Sequence, residues 1–151
     1  MSDAILSKIK HYCAYQERSQ YKVRSRLLDL GMRGDDLERM ISTLIEENYL
    51  NEERFATAFA RGKFRFKQWG RIKITRELKR QQISSYLIKK AMQEIDPDAY
   101  DVTLNKLIEK KLATLSKEKN KFIRMNKVRN YLLQKGYSSS EISEQYKTHF
   151  K

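Results

Sequence analysis

Lys73, Arg76 and Arg80 are separated by three and four residues, a spacing that places all three on one face of a predicted helix. Lys79 flanks them, and Glu77 is the nearby carboxylate, while Ile74 and Leu78 share the inward face. On the preceding predicted helix Phe55, Phe59 and Phe66 form the inward side, and Arg54, Arg61 and Arg65 run about a quarter-turn away. Lys67, Trp69 and Arg71 fill the connection between the two helices. Guanidinium and ammonium groups arranged this way attract anions rather than make or break bonds. Arg54, Arg61, Arg65, Arg71, Lys73, Arg76, Lys79 and Arg80 are therefore the candidate partner- and phosphate-binding face. Both DNA phosphate and an acidic protein groove satisfy it. A lone Trp69 beside a helix boundary reads as a packing wedge before a base-stacking platform. The remaining Phe and Tyr side chains, most of them at core spacing, are assigned to helix interiors.

Residues for covalent or metal chemistry do not assemble into a constellation. His11 and His149 lie at opposite ends of the chain, with no Cys, His or Asp at zinc spacing. Cys13 is two residues from His11 and points elsewhere on a helix, so it reads as a small buried apolar group. Asp35-Asp36 suits a helix start and Glu46-Glu47 a surface pair. No glycine-rich phosphate loop follows a strand. The expectation is a non-enzyme with no catalytic residue, metal or cofactor.

The elements that must position the cations are helical. One Pro and five Gly in 151 residues, with 40% apolar side chains, favour an all-α chain with several small cores. A single cysteine cannot form an intrachain disulfide, and no apolar run is long enough to span a bilayer. Together with the acidic start Met1-Ser2-Asp3, these features predict a cytoplasmic, soluble protein, and a monomer is the separate expectation. The net charge of +13 is uneven: residues 1–50 are balanced at eight basic and eight acidic, residues 51–95 hold twelve against four, and residues 96–151 twelve against seven.

One eleven-residue phrase occurs three times, at Lys22–Met32, Lys73–Ile83 and Lys127–Tyr137. Each copy opens with Lys and a β-branched residue, continues to Leu27, Leu78 or Leu132, and ends on Met32, Ile83 or Tyr137. Gly31 and Gly136 precede the last position in two copies, and Gln82 stands there in the third. Repetition at about fifty residues predicts tandem helical units, divided at 1–50, 51–95 and 96–151. Ser19, Gly34, Asn51, Ser84, Asp96-Pro97 and the Ser138/Glu141 capping box mark helix starts; Gly31 and Gly136 mark ends. The buried stripes are Ile5, Ile9, Tyr12 and Cys13 in the first helix, and Leu37, Ile41, Leu44 and Ile45 in the third.

These residues resemble the RecX family of bacterial RecA regulators. Asn48-Tyr49-Leu50-Asn51-Glu52-Glu53-Arg54-Phe55-Ala56 is similar to the family's Gly-Tyr-Leu-Asp-Asp-x-Arg-Phe-Ala signature. Gly70, Ile74, Glu77-Leu78, Ile83, Ile88 and Ala91 follow its second repeat; Lys127, Tyr131-Leu132, Lys135-Gly136-Tyr137-Ser138 and Ile142 follow its third. Arg18-Ser19 resembles the start of the second helix of the first, and the likeness runs from about Tyr12 to Phe150. Lys22-Val23, Asn51 and Gln82 depart from the pattern; Gln82, a side chain where a left-handed glycine is usual, is expected to alter the turn between the fifth and sixth helices. The resemblance implies an elongated, curved array of three tandem three-helix, helix-turn-helix-like repeats. It also implies binding in the groove of the RecA–DNA filament and restraint of recombination, within DNA repair and the SOS response, without a catalytic site. Phe55, Leu78 and Ile83 are expected to hold the fold. The alternative is a DNA-binding helix-turn-helix protein or transcription factor that reads bases with the exposed start of its fifth or sixth helix, through Arg71 and Arg76.

Overall fold

Helix starts follow the capping residues closely. Ser19 Oγ accepts from the Lys22 amide at 3.1 Å, Asn51 Oδ1 from Arg54 at 2.9 Å, Ser84 Oγ from Leu87 at 3.2 Å and Asp96 Oδ2 from Ala99 at 2.8 Å. Ser138 and Glu141 form the reciprocal box, at 3.1 and 2.9 Å. The computed structural model describes residues 3–149; Met1 and Ser2 of the acidic start, and Phe150 at the end of the family resemblance, lie outside them. Among the described residues there are nine helices and no strand: α1 (Asp3–Tyr15), α2 (Gln20–Asp29), α3 (Gly34–Glu46), α4 (Glu52–Lys67), α5 (Arg71–Arg80), α6 (Ser85–Met92), α7 (Pro97–Ala113), α8 (Lys121–Lys135) and α9 (Ser139–His149).

The three sequence copies share a local geometry. In each, the residue before the last takes a left-handed conformation: Gly31 at φ 94°, Gln82 at φ 63° and Gly136 at φ 103°. That turn lets the final amide reach back to the shared leucine, Met32 to Leu27 at 3.0 Å, Ile83 to Leu78 at 3.1 Å and Tyr137 to Leu132 at 3.1 Å. Gln82 therefore reproduces the glycine turn, with its Cβ in a region that L-residues disfavour. The β-branched and leucine positions of all three copies, Val23, Leu27, Ile74, Leu78, Val128 and Leu132, are fully buried.

The chain packs into two compact units, one running up to Phe59 and including Leu78–Ala91, the other comprising Ala60–Glu77 and everything from Met92 onward. In the first, Ile9, Cys13, Val23, Leu27, Met40 and Leu44 centre a core against which Ile5, Leu6, Tyr12 and Tyr49 pack. In the second, Tyr100, Leu104, Leu107, Ile108, Leu132 and Tyr137 are buried. Phe55 and Ile83 are buried as the fold requires, at 6% and 4% exposure.

Several expected placements differ. Phe66 is 79% exposed rather than inward. The buried face of α4 rotates along its length: Phe55 and Ala56 are buried in the first half, whereas Ala60 is buried in the second and Phe64 stacks on Tyr100 at 5.8 Å. At about 100° per residue, Phe66 falls back in line with Phe55, on the side the second core leaves open. Ile45 is 45% exposed and Met40 takes its place, because Leu37, Met40, Ile41 and Leu44 centre a stripe to whose edge Ile45 belongs. Helix α3 begins with Arg33 as its N-cap and no side-chain cap bond, not with Gly34, whose φ of 57° instead turns the chain into the helix. Tyr15, Tyr21, Tyr86 and Phe122 stay exposed although their spacing fits a core. Helix α6 has eight residues.

Glycine is required at Gly136. A Cβ there would lie 2.7 Å from the Lys73 amide nitrogen, on top of an unfavourable φ. Gly136→Ala is expected to lower stability by about 2 kcal/mol or more in urea unfolding. Gly62→Ala, in open space within α4, is expected to raise it by about 0.5–1 kcal/mol. Gln82→Gly should also stabilise, by about 0.5 kcal/mol, by relieving the left-handed backbone of a non-glycine residue.

Candidate interaction surface

The predicted cations divide by what they already hold. Arg54 is committed inside the first unit: Nε donates to Glu17 at 2.6 Å, and its two terminal nitrogens reach Asn48 Oδ1 at 3.1 Å and Asn48 O at 3.0 Å. Asn48 has φ 64°, so Arg54 clamps the left-handed turn that ends α3. Tyr49 and Leu50 donate back to Leu44 O, Asn51 caps α4, and Leu50, Phe55 and Ala56 are buried. The nine-residue signature is thus a self-contained corner, and each of these members has a structural task.

In the second unit Arg61 pairs with Glu94. Arg71 is bound more deeply. Its guanidinium lies 3.8 Å from the Tyr100 ring centroid and 3.3 Å from Glu141, and its amide donates to the Tyr100 hydroxyl at 3.1 Å. Burial pushes the Tyr100 phenol up to about 12, so it stays protonated and its hydroxyl faces Glu141 at 3.4 Å. Burial also raises Tyr137, which donates to Gln68 O at 2.9 Å.

This network closes a joint at the start of α5. Gly70 and Ile72 donate to the carbonyls of Lys135 and Gly136 at 2.8 and 3.0 Å, so the carbonyl end of α8 satisfies the amide end of α5. A Cβ on Gly70 would collide with the Gly136 carbonyl. The first unit has a counterpart at the start of α2, built from side chains: buried Ser19 donates to Gln81 at 2.7 Å, and the Gln20 amide to Glu52 at 3.1 Å. Half-burial raises the Glu52 carboxyl above its ordinary range, and the Gln20 amide opposes that rise.

Arg65, Arg76, Lys79 and Arg80 are exposed, and among the described residues Arg65, Arg76 and Lys79 form no ion pair. Lys73 is half-buried, its ammonium 4.5 Å from the Trp69 ring; the Lys63 ammonium is 4.9 Å from the same ring. Trp69 is therefore a partly buried bed for two lysines. By unit, Arg54, Lys79 and Arg80 belong to the first, and Arg61, Arg65, Arg71, Lys73 and Arg76 to the second.

Charge follows the same division. The second unit holds nineteen basic and nine acidic side chains, net +10, and the first thirteen and ten, net +3. Reading helix by helix missed Lys110 and Lys135, which the fold brings near Lys67 and Lys73. No linear spacing links these four. Among the described residues no group of His, Cys, Asp and Glu could hold a metal ion, and no helix is long and apolar enough to cross a membrane.

Residues 51–92 match the model of the second three-helix domain of RecX, and residues 99–144 that of the third, together more than half of the chain. Regulatory protein RecX of Clostridium perfringens (strain SM101 / Type A) is 33% identical over 122 residues, 80% of this chain and 57% of the relative. That of Salmonella paratyphi A (strain ATCC 9150 / SARB42) is 27% identical over 150 residues, 93% and 88%. The chain spans little more than half the length of the Clostridium relatives it matches. The crystal structure of RecX from Lactobacillus salivarius shares the fold, with a TM-score of 0.83 and 22% identity over 95% of this chain and 92% of that one. By these domain matches the chain belongs to the RecX family, whose members are regulatory proteins rather than enzymes.

Proposed function

We propose that this chain binds in the groove of the RecA–DNA filament and modulates, mainly inhibiting, strand exchange and ATP turnover in DNA repair and recombination, working as a cytoplasmic monomer without a cofactor. The observation that carries this reading is the net charge of +10 in the second unit, where exposed Arg65 and Arg76 form no ion pair among the described residues, in a chain of the RecX family. A cationic surface favours a polyanionic partner, and repeated modules suit a partner that itself repeats, since each contact after the first is intramolecular. The helix-turn-helix alternative needs an open helix start. At α5 the amides of Gly70 and Ile72 are occupied by α8 carbonyls, and Arg71 is held by Tyr100 and Glu141.

Co-sedimentation with RecA filaments formed on single-stranded DNA, alongside DNA alone, tests the reading. Retention by filaments beyond that by bare DNA is expected. Arg65→Glu with Arg76→Glu should weaken filament binding by about tenfold or more while leaving the circular dichroism spectrum intact. Unchanged affinity in that variant removes both arginines from the interface; binding to bare DNA alone defeats the partner assignment.

A further inference from the structure

Four lysines from four helices meet in the second unit: Lys67 in the last turn of α4, Lys73 in the first turn of α5, Lys110 in the last turn of α7 and Lys135 in the last turn of α8. The Lys135 ammonium donates to the Lys67 carbonyl at 3.1 Å, and Gly136 lies against the Lys73 backbone. Desolvation first, then the charges of Lys73, Lys110 and Lys67, lower the Lys135 pKa. None of the four forms an ion pair among the described residues.

Helix-end chemistry explains part of this arrangement. Lysines in the last turns of α4, α7 and α8 sit at the carbonyl end of the helix dipole, where a cation is favoured. That accounts for Lys67, Lys110 and Lys135 one at a time. It does not account for their convergence; Lys73, at the amide end of α5, where a cation is disfavoured, is held on the Trp69 ring. The excess positive charge calls for an external anion. At the same end of α4, Phe66, which lies between Arg65 and Lys67 in the sequence, is 79% exposed.

We propose that Lys67, Lys73, Lys110 and Lys135 hold the phosphates of single-stranded nucleic acid, with Phe66 as the ring on which a base stacks. The inference rests on the reading above, that the chain works on a nucleoprotein filament, and assigns the nucleic-acid contact to particular residues. Lysine meets phosphate as a compact point charge, and it is the open ring that favours nucleic acid over an acidic protein. An open aromatic ring at the same helix end offers bases a sequence-tolerant stacking contact.

The test is fluorescence anisotropy of the whole chain with labelled oligo(dT) over a salt series, with inorganic polyphosphate and poly-glutamate as competitors. Lys67→Gln with Lys110→Gln leaves the backbone joint untouched. It should reduce the slope of log affinity against log salt by about 1.4, roughly 0.7 for each lost phosphate contact. Phe66→Ala should weaken oligo(dT) binding about tenfold and leave polyphosphate binding unchanged. Thermal unfolding of both variants should match the parent. An unchanged slope in the double variant overturns the patch, and so does poly-glutamate binding that is stronger than oligo(dT) binding and lost in the same variant. The same variants in the filament assay separate the two readings. A parent chain that binds oligo(dT) through this patch but ignores filaments sinks the proposed partner and upholds the patch; filament binding with an unchanged oligo(dT) slope does the reverse.

Discussion

A left-handed residue at the end of the second helix of each copy is the constraint on which the structure turns. It lets the last amide of the phrase return to the shared leucine, which buries that leucine and turns the chain towards the next helix. In the third copy it does more. Gly136 exposes the final carbonyls of α8 to the amides of Gly70 and Ile72, an approach possible only because neither Gly70 nor Gly136 has a side chain. Helix ends leave backbone groups that need partners, and here one helix supplies the acceptors another requires. Tyr100, Tyr137, Arg71 and Glu141 then close around the joint.

The joint also decides which cations remain for a partner. An arginine beside a carboxylate and an aromatic ring is spent on the fold, as Arg71 is, while Arg54 is spent on the corner between α3 and α4. What remains is surface charge concentrated in the second unit and a lysine cluster drawn from helix ends. Family membership and surface charge therefore carry different information. The signature residues describe how the chain turns, and the unpaired cations describe what it can meet.

Much of the fold was legible because helix signals are local. Ser19, Asn51, Ser84, Asp96 and the Ser138/Glu141 box each act within four residues, so spacing alone located them. The three-copy phrase was legible for the same reason, whereas Gln82, expected to alter the turn after α5, keeps the left-handed conformation of the two glycines. Phe66 and Ile45 were misplaced because a helical wheel assumes one inward direction, whereas α4 turns its buried face and α3 centres its stripe on Met40 and Leu44. The candidate surface was read less completely. Glu17, Glu94 and Glu141, which bind Arg54, Arg61 and Arg71, come from distant parts of the sequence, as do Lys110 and Lys135. Nothing in linear spacing connects them; only tertiary packing does.

The crowding of cations in the second unit has a consequence for the free protein. Nineteen basic side chains against nine acidic ones repel one another across a small body, and that self-repulsion works against compactness. Dissolved ions shield such repulsion just as they shield attraction to a polyanion. Added electrolyte thus acts in opposite senses on the two equilibria: it tightens the fold of the unbound chain while loosening its hold on an anionic partner.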